Sequence, residues 1–466
     1  MKSPPLFNII LAAISLFFVI RLIFTFQPPV EYEHAWRQAT GLMYARNFAE
    51  TDPNFFHPRI DDDAGGTGIV ILETPILYYG MYLMSIPFGY QEWYGRLINL
   101  IISSIGTWFF FLLIRRFFSE KSALYATLLL LTSGWLIFSR KTMQDTFALS
   151  FMIIGLEFAF RYFERKRKKD LIFYSAFATM GILSKIPAGM YLVFPLAYLW
   201  IFKPPRKNVI SWIRATTIPI LLAVSWYFIY MPYGSRKYGY GHNLGVGIKD
   251  GLSTLLSQWY KIFELFFFQS HHSFIFIFLF LFAWIWLIRE RKRNLLIILG
   301  GFNFVFLGYM VRSGTYFIQH NYYMLPYEPV AALIVGIYLN KIKRQKWAIV
   351  LVILCMMEGI AWQARDFTNS PREEYKLELI SIAERFSSQD DRVVLINNGS
   401  PVGFYMTHRK GWMFSGNNIP SEEDILELYH KGVRLVIINR HYHETEYNFP
   451  EIFSNRDFRV YQLSEP

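Results

Sequence analysis

Cysteine is almost missing from this chain of 466 residues: Cys355 stands alone, so no internal disulfide can form and compartment has to be read from topology. Charge is also sparse. Only 18% of residues are charged, against 53% hydrophobic and 19% aromatic, a balance far from that of an ordinary soluble domain. There is no strand followed by a Gly-Lys-Ser phosphate loop, which removes the nucleotide-binding reading. No cysteine and histidine spacing of a metal centre occurs, and His408, His430, His441 and His443 are scattered as surface histidines are. No internal repeat is visible, and the apolar runs are nearly free of ionisable residues apart from Arg21 and Glu157. Both absences weigh against a lipid-linked-sugar flippase or another polytopic transporter, which is the alternative reading.

What the chain has is a series of apolar runs long enough to cross a bilayer, from Leu6 to about Trp362. Such runs satisfy their backbone in lipid only as helices. The first run, Leu6 to Phe26, leads into Gln27-Pro28-Pro29 with no small-residue cleavage site, so it is expected to stay as an anchor. Lys and Arg cluster at 115–116, 161–169, 203–207, 289–293 and 341–346. The positive-inside rule makes these loops cytoplasmic. Threading the remaining runs between them predicts an all-α polytopic bundle of about eleven transmembrane helices with a cytoplasmic N-terminus. Its spans after the anchor are 97–114, 122–138, 147–163, 171–183, 186–202, 212–230, 274–288, 295–311, 324–339 and 347–362. Residues 69–88, broken by Pro75 and Pro87, are a surplus apolar run, read as a re-entrant or juxtamembrane element of the first external loop. The net charge of +12 sits largely in the anchoring loops, so nucleic acid is not an expected partner.

The external face then carries residues 27–96, 139–146, 231–273, 312–323 and the tail after Ala364. Residues 1–364 are expected to be a transmembrane catalytic domain with its site residues in the 27–96 loop. Residues 365–466, with apolar pulses at 392–396 and 434–438 between helix-like 374–386 and 421–429, read as a small external α/β domain. Chemistry is sought in the external loops. Glu31-Tyr32-Glu33-His34-Ala35-Trp36-Arg37-Gln38 opens an amphipathic-looking helix to Ala49, and Glu73-Thr74-Pro75 follows. The turn Ser139-Arg140-Lys141-Thr142-Met143-Gln144-Asp145 places an acid with two bases at the bilayer rim, where a charge is either functional or a headgroup anchor. Gly65-Gly66 reads as a flexible turn, Gly234 to Gly247 as a mobile external loop, and Asp61-Asp62-Asp63 as a solvated turn, with a divalent cation as the alternative.

Taken in order, these segments resemble the C-type glycosyltransferase superfamily, in the bacterial branch related to protein O-mannosyltransferases and the lipid A aminoarabinose transferase. The resemblance is carried by His34-Ala35-Trp36-Arg37-Gln38-Ala39, which departs from the branch's pattern at Thr40, by Pro58-Arg59-Ile60-Asp61, Gly65-Gly66 and Glu73-Thr74-Pro75, by the Arg140 to Asp145 turn, by Ser184-Lys185-Ile186-Pro187, and by His320-Asn321-Tyr322-Tyr323-Met324-Leu325-Pro326. It implies transfer of one sugar from a polyprenyl-phosphate donor to a hydroxyl of an extracytoplasmic glycan, lipid A or protein, by an integral protein of the bacterial plasma (inner) membrane. Such a reaction needs a carboxylate to take the acceptor proton and cations to hold the leaving phosphate. Glu33, Asp145 and Glu73 compete for the base; the resemblance implies a catalytic acid in the first loop soon after the first helix, which points to Glu33, with Glu31 next. Arg37, Arg59, Arg96, Arg140, Lys141 and Lys185 compete for the phosphate, and His34, Trp36, Gln38, His320, Tyr322 and Tyr323 are the expected substrate contacts. No cofactor is required by this chemistry, a divalent cation being the one option left open.

Overall fold

The computed structural model describes residues 5–240 and 245–464. Residues 241–244, in the loop read as mobile, lie outside the described residues. On either side of them the chain is held: Met231–Tyr238 is helical, and the Val246 amide donates to the Arg312 carbonyl at 2.7 Å.

The protein is an integral membrane protein, a helical bundle with a small sheet at its C-terminal end. Among the described residues, six helices are long and apolar enough to cross a bilayer: Leu6–Phe26, Tyr94–Phe117, Gln144–Arg165, Arg206–Tyr238, Arg293–Ser313 and Gln345–Phe367. A seventh crossing is made if Trp259–Gln269 and Phe274–Arg289, bent by 104° at their junction, act as one span. Several other expected spans are shorter than the apolar runs suggested, and the reasons are local. The run 122–138 stops as a helix at Leu131, because Thr132 and Ser133 turn their hydroxyls back onto the carbonyls of Leu128 and Leu130, and resumes only as Trp135–Phe138. The run 324–339 begins as a helix at Glu328, after a 3-10 turn over Asn321–Met324. Glu328 is a buried carboxylate inside that expected span, and it accepts from Ser133 Oγ at 2.8 Å and the Trp135 amide at 3.0 Å. The two mid-span charges seen in the sequence are likewise satisfied. Arg21 donates to Ser139 Oγ and to the Phe17 carbonyl, and Glu157 pairs with Arg116 and Arg161.

The surplus apolar run becomes the helix Ile76–Phe88. Thirteen residues rise only about 20 Å, too little for a hydrocarbon core of about 30 Å. Its Leu77, Tyr78 and Met81 are buried, while Leu83, Ile86 and Phe88 stay exposed at its far end. That distribution fits an element lying at the membrane surface.

Gln144–Arg165 is the axis of the bundle, with nearly every side chain buried. Close approach needs small residues. A side chain on Gly106 would collide with Ser150, and one on Gly181 would meet the Ala148 carbonyl oxygen at 2.8 Å.

The tail forms a five-stranded mixed sheet in the order β2-β1-β3-β5-β4, from β1 (Arg392–Asn397), β2 (Gly411–Ser415), β3 (Val433–Asn439), β4 (Glu451–Ser454) and β5 (Phe458–Gln462). β1 runs parallel to both neighbours, and β5 runs antiparallel to β3 and to β4. The two apolar pulses in the sequence are β1 and β3, the buried centre of the sheet. β2, β4 and β5 are shorter, less apolar and invisible to that pattern.

The first loop does not float over the bundle. It is stitched to the tail, with the Gly411 amide donating to the Asp61 carbonyl at 3.1 Å and the Ala64 amide to the Gly411 carbonyl at 2.9 Å. Asp61 and Asp63 are buried, contrary to the expected solvated turn. Asp61 takes Arg46 at 2.5 Å and Asn47 at 2.8 Å, and Asp63 takes Arg392 at 2.6 Å. Asp62 accepts from the Met413 amide at 3.2 Å. The three acids are a clamp on the sheet, and among the described residues no His, Cys, Asp and Glu converge to hold a metal ion.

Candidate active site

Two charge clusters lie side by side where the first loop meets the bundle. The first is closed. Glu31, fully buried, accepts from Arg140 at 2.6 Å, Lys141 at 2.8 Å, Arg96 at 3.1 Å and Gln38 at 3.1 Å. Burial alone would raise its carboxyl, but Arg140, Arg96 and Lys141 hold it well below the usual carboxylate range. The cations are spent elsewhere as well: Arg96 caps the carbonyls of Thr25, Gln27 and Pro28, and Arg140 donates to the Asp366 carbonyl and lies 4.5 Å over the Phe367 ring. Arg140 and Lys141 therefore do not reach lipid headgroups from an exposed rim, as the sequence allowed. The whole turn from Ser139 to Thr146 is buried.

The second cluster is open. Lys185, at the break between Lys168–Ser184 and the 3-10 turn Ile186–Leu192, pairs with Asp145 at 2.9 Å and Glu73 at 3.3 Å. Glu73 also takes Arg37, one turn into the helix Ala35–Glu50. Burial would raise the Glu73 carboxyl, but Arg37 and Lys185 lower it to about 2. Burial would lower Lys185, but Asp145 and Glu73 raise it, so the ammonium keeps its charge. Glu73 is 22% exposed, whereas Glu31 is sealed, and Asp145 Oδ2 is buried without a partner. Two acids and two bases leave this cluster electrically neutral and reachable.

Aromatic rings roof it. Lys185 Nζ lies 4.9 Å from the Tyr322 ring centre, His320 stacks on Tyr322 at 5.3 Å, and Tyr323 stacks on Tyr309 at 5.6 Å. His34 sits edge-on to Tyr322 at 4.8 Å, with its Nε2 2.8 Å from Asn321 Oδ1. Burial drives the His34 imidazole down to about 3, helped by the nearby Lys141, His320 and Arg37 charges and opposed by Asn321. It is neutral at working pH.

Glu33 belongs to neither cluster. It is 27% exposed, 3.7 Å from His34 Nε2 and 3.8 Å from Arg365, while its backbone carbonyl is fixed by Lys141. Trp36, next to Arg37 in the chain, turns to His320 at 5.6 Å. Gln38 ties the clusters' frames together, accepting from the Thr142 amide at 3.1 Å and from Arg96 at 3.3 Å. Arg59 stands apart from both clusters: it pairs with Asp52 at 3.0 Å and the Thr67 carbonyl at 2.6 Å, and its work is to shape the loop. Asn321, Glu31 as the hub of a closed cluster, and the tail residues beside Trp36 were not singled out from the sequence.

Deeper in the bundle, and reaching Phe117, Phe202 and Asn294 beside the basic loops, an apolar cavity of about 310 Å³ runs between the helices. Tyr191, Phe194, Tyr198 and Ile201 line it from the segment that begins immediately after Lys185, and Phe110 and Leu299 face them.

Comparison with known proteins bears on the fold and on part of the sequence. Residues 73–229, which hold Glu73, Arg96, Arg140, Lys141, Asp145 and Lys185, match the family model described as dolichyl-phosphate-mannose-protein mannosyltransferase. An uncharacterized protein of Aquifex aeolicus is 24% identical over 274 residues, covering 58% of this chain and 53% of that protein, so the chain spans about half the length of this curated relative. The crystal structure of ArnT from Cupriavidus metallidurans bound to undecaprenyl phosphate superposes with a TM-score of 0.65 at 12% identity, over 97% of this chain and 98% of that one. The archaeal oligosaccharyltransferase AglB from Archaeoglobus fulgidus, in complex with an inhibitory peptide and a dolichol-phosphate, gives 0.58 at 12% identity over 92% and 69%. From end to end the chain has the fold of ArnT, and over residues 73–229 it matches the dolichyl-phosphate-mannose-protein mannosyltransferase family, the kinship its motifs already resembled.

Proposed function

We propose that the protein is a glycosyltransferase of the bacterial inner membrane that moves one sugar from a polyprenyl-phosphate donor to a hydroxyl outside the cytoplasm. The observation that carries the reading is a paired cation site, Lys185 and Arg37, held by Glu73 and Asp145 where the first loop meets the bundle, with an apolar cavity farther along the segment that follows Lys185. A polyprenyl phosphate has that same polarity, an anionic head on a long apolar tail. Arg37 offers two donors in a planar fork and Lys185 a point charge, which together suit a phosphate oxygen pair.

Glu73 and Asp145 hold these cations in place before the donor arrives. They are poor bases for the acceptor proton, since each is committed to a cation on the phosphate side. In a displacement at the anomeric carbon, the attacking hydroxyl and the leaving phosphate stand on opposite sides of the sugar. Glu33 lacks a short ion pair and is set apart from Lys185 by the His34 and Tyr322 rings, so it is not committed to the phosphate side. It takes the acceptor proton as the hydroxyl attacks, while Lys185 and Arg37 stabilise the charge growing on the phosphate.

The same reading places the N-terminus in the cytoplasm, divides the apolar runs into about eleven crossings, and makes residues 365–466 an external domain. A reporter fused after Phe163 is expected to be cytoplasmic and one after Ala364 external. A cytoplasmic tail would overturn the placement of the site. The substrate test is direct: the purified protein should transfer sugar from a polyprenyl-phosphate donor, hexose or pentose, and ignore nucleotide sugars, and equal use of a nucleotide sugar refutes the reading.

A further inference from the structure

A second opening, of about 270 Å³, lies on the outer side of the site between the first loop and the sheet domain. Tyr32 and Trp36 form one wall, and Glu373, Asn398, Ser400 and Pro401 form the other. Tyr32 is 42% exposed and Trp36 37%, although both stand on an otherwise polar face. The far side of Trp36 is closed by His320, which fixes the ring with one edge and part of a face open to the cleft.

The opposite wall is the loop that leaves the carboxyl end of β1, the strand between two parallel neighbours, where open α/β sheets form their binding crevices. That loop is rigid by its own bonds. Asn397 accepts from the Gly399 amide at 2.7 Å and donates to the Ser400 carbonyl at 3.1 Å, and His443 holds the Asn397 carbonyl at 3.0 Å. Gly399 takes φ +79°, the left-handed turn that lets the backbone itself face the cleft. The exposed Asn398 side chain accepts from the Ser400 amide through Oδ1 at 3.3 Å and has its amide nitrogen left for the cleft.

The chemistry of these walls selects a class of ligand. A pyranose has an apolar C–H face that packs on an aromatic ring and a rim of hydroxyls that need donors and acceptors together. Trp36 and Tyr32 supply the first, and an amide, a hydroxyl, a carboxylate and backbone groups supply the second. Glu373, already bonded to Lys376 at 2.7 Å, is the acid of the lining, no lysine or arginine is among the lining residues, and the nearby Arg365, 5.9 Å from the Tyr32 ring, faces Glu33 at 3.8 Å, so the walls favour an uncharged group over an anion. A peptide adding as a strand would need a free sheet edge. The β2 edge is taken by the first loop, and the cleft opens at strand ends instead.

We infer that this cleft binds the acceptor as an uncharged saccharide, its ring against Trp36 and its reactive hydroxyl toward Glu33. The inference rests on the transferase reading. Trp36 neighbours Arg37 of the phosphate site in the chain, and the His320 and Tyr322 rings alone link it to Lys185, so the cleft and the donor site share one aromatic wall.

The test uses the full-length protein in detergent, labelled and applied to a glycan array of neutral, sialylated and phosphorylated saccharides together with unglycosylated peptides. Neutral saccharides should be retained. Asn398→Ala, an exposed change that leaves the fold intact, and Trp36→Phe, which keeps a smaller ring, should each weaken retention at least 5-fold, with Trp36→Ala weaker still. Lys185→Ala should leave array binding unchanged while losing polyprenyl phosphate, measured separately by titration with undecaprenyl phosphate. Retention only of peptides or phosphorylated probes, or neutral-sugar binding unmoved by Asn398→Ala and Trp36→Phe, overturns the inference. Undecaprenyl phosphate binding unmoved by Lys185→Ala would instead overturn the donor reading and leave the array result standing.

Discussion

The closed cluster around Glu31 and the open cluster around Lys185 are built from the same residue types within one small region, yet they do opposite work. In the closed cluster one carboxylate neutralises part of three cations, every member is sealed, and each guanidinium is also committed to backbone carbonyls. It can offer nothing to a substrate, and it fixes the first loop onto the bundle. In the open cluster two acids and two bases balance, one acid keeps an unpartnered oxygen, and part of the group meets solvent. Each cluster keeps one buried unpartnered atom, Arg140 Nε in the closed one and Asp145 Oδ2 in the open one, so accessibility, more than charge or spare bonding capacity, separates the two networks.

The largest effect should come from breaking the closed cluster. Glu31→Gln leaves buried cations without their counter-charge, a loss of about 3–5 kcal/mol. Little folded protein should survive extraction, as thermal unfolding in detergent would report. A Glu31→Gln protein of normal stability and reduced activity would mean the closed cluster is catalytic after all. Next, Glu33→Gln should leave unfolding unchanged and lower turnover about 100-fold or more, with donor affinity retained. If Glu73→Gln or Asp145→Asn alone abolishes turnover in a folded protein while Glu33→Gln does not, the base belongs to the open cluster. Lys185→Ala should weaken donor binding and rate together, by about 1.5–3 kcal/mol for the charge-assisted bond lost.

The smallest effect is one of pH. The His34 imidazole is held at about 3 in the folded protein, below its ordinary value of 6.5, so the unfolded chain binds a proton that the folded chain refuses. Its contribution to stability is therefore intact above about pH 6.5 and falls as pH drops toward about 3. His34→Gln, which can keep the Asn321 bond without a titrating ring, should flatten the stability curve across that window. An unchanged acid slope would show that His34 is not desolvated as described.

The long spans and the two central strands were legible because each is a local pattern: an uninterrupted apolar run, or an apolar pulse beside a helix-like segment. The interrupted spans were less so. Thr132-Ser133-Gly134 carried the signal for a helix break, but in an apolar context the run outweighed it. The identity of the site's residue types was also legible, since Lys185, Asp145, Glu73 and Arg37 do converge. Their sorting into two clusters was not, because it depends on contacts such as Glu31 with Arg140, 109 positions apart, which no spacing records. Arg96, Arg140 and Lys141 look like phosphate ligands in the sequence and become structural only once Glu31 is seen among them. Asp61-Asp62-Asp63 misled for a related reason: its partners Arg392, Gly411 and Met413 lie in the tail, and consecutive acids read without partners look solvated.

The backbone stitch between Asp61, Ala64 and Gly411 has a consequence for how the molecule is made. A side chain at Gly411 would collide with the Val393 carbonyl oxygen of β1, so glycine is what lets β2 pair with β1 at the residue that also bonds the first loop. The first loop's partner lies more than 300 residues downstream, so this loop is completed only after the tail has been translated. A chain truncated before β2 is therefore expected to lack these backbone bonds and to leave its first loop without a seat on the sheet.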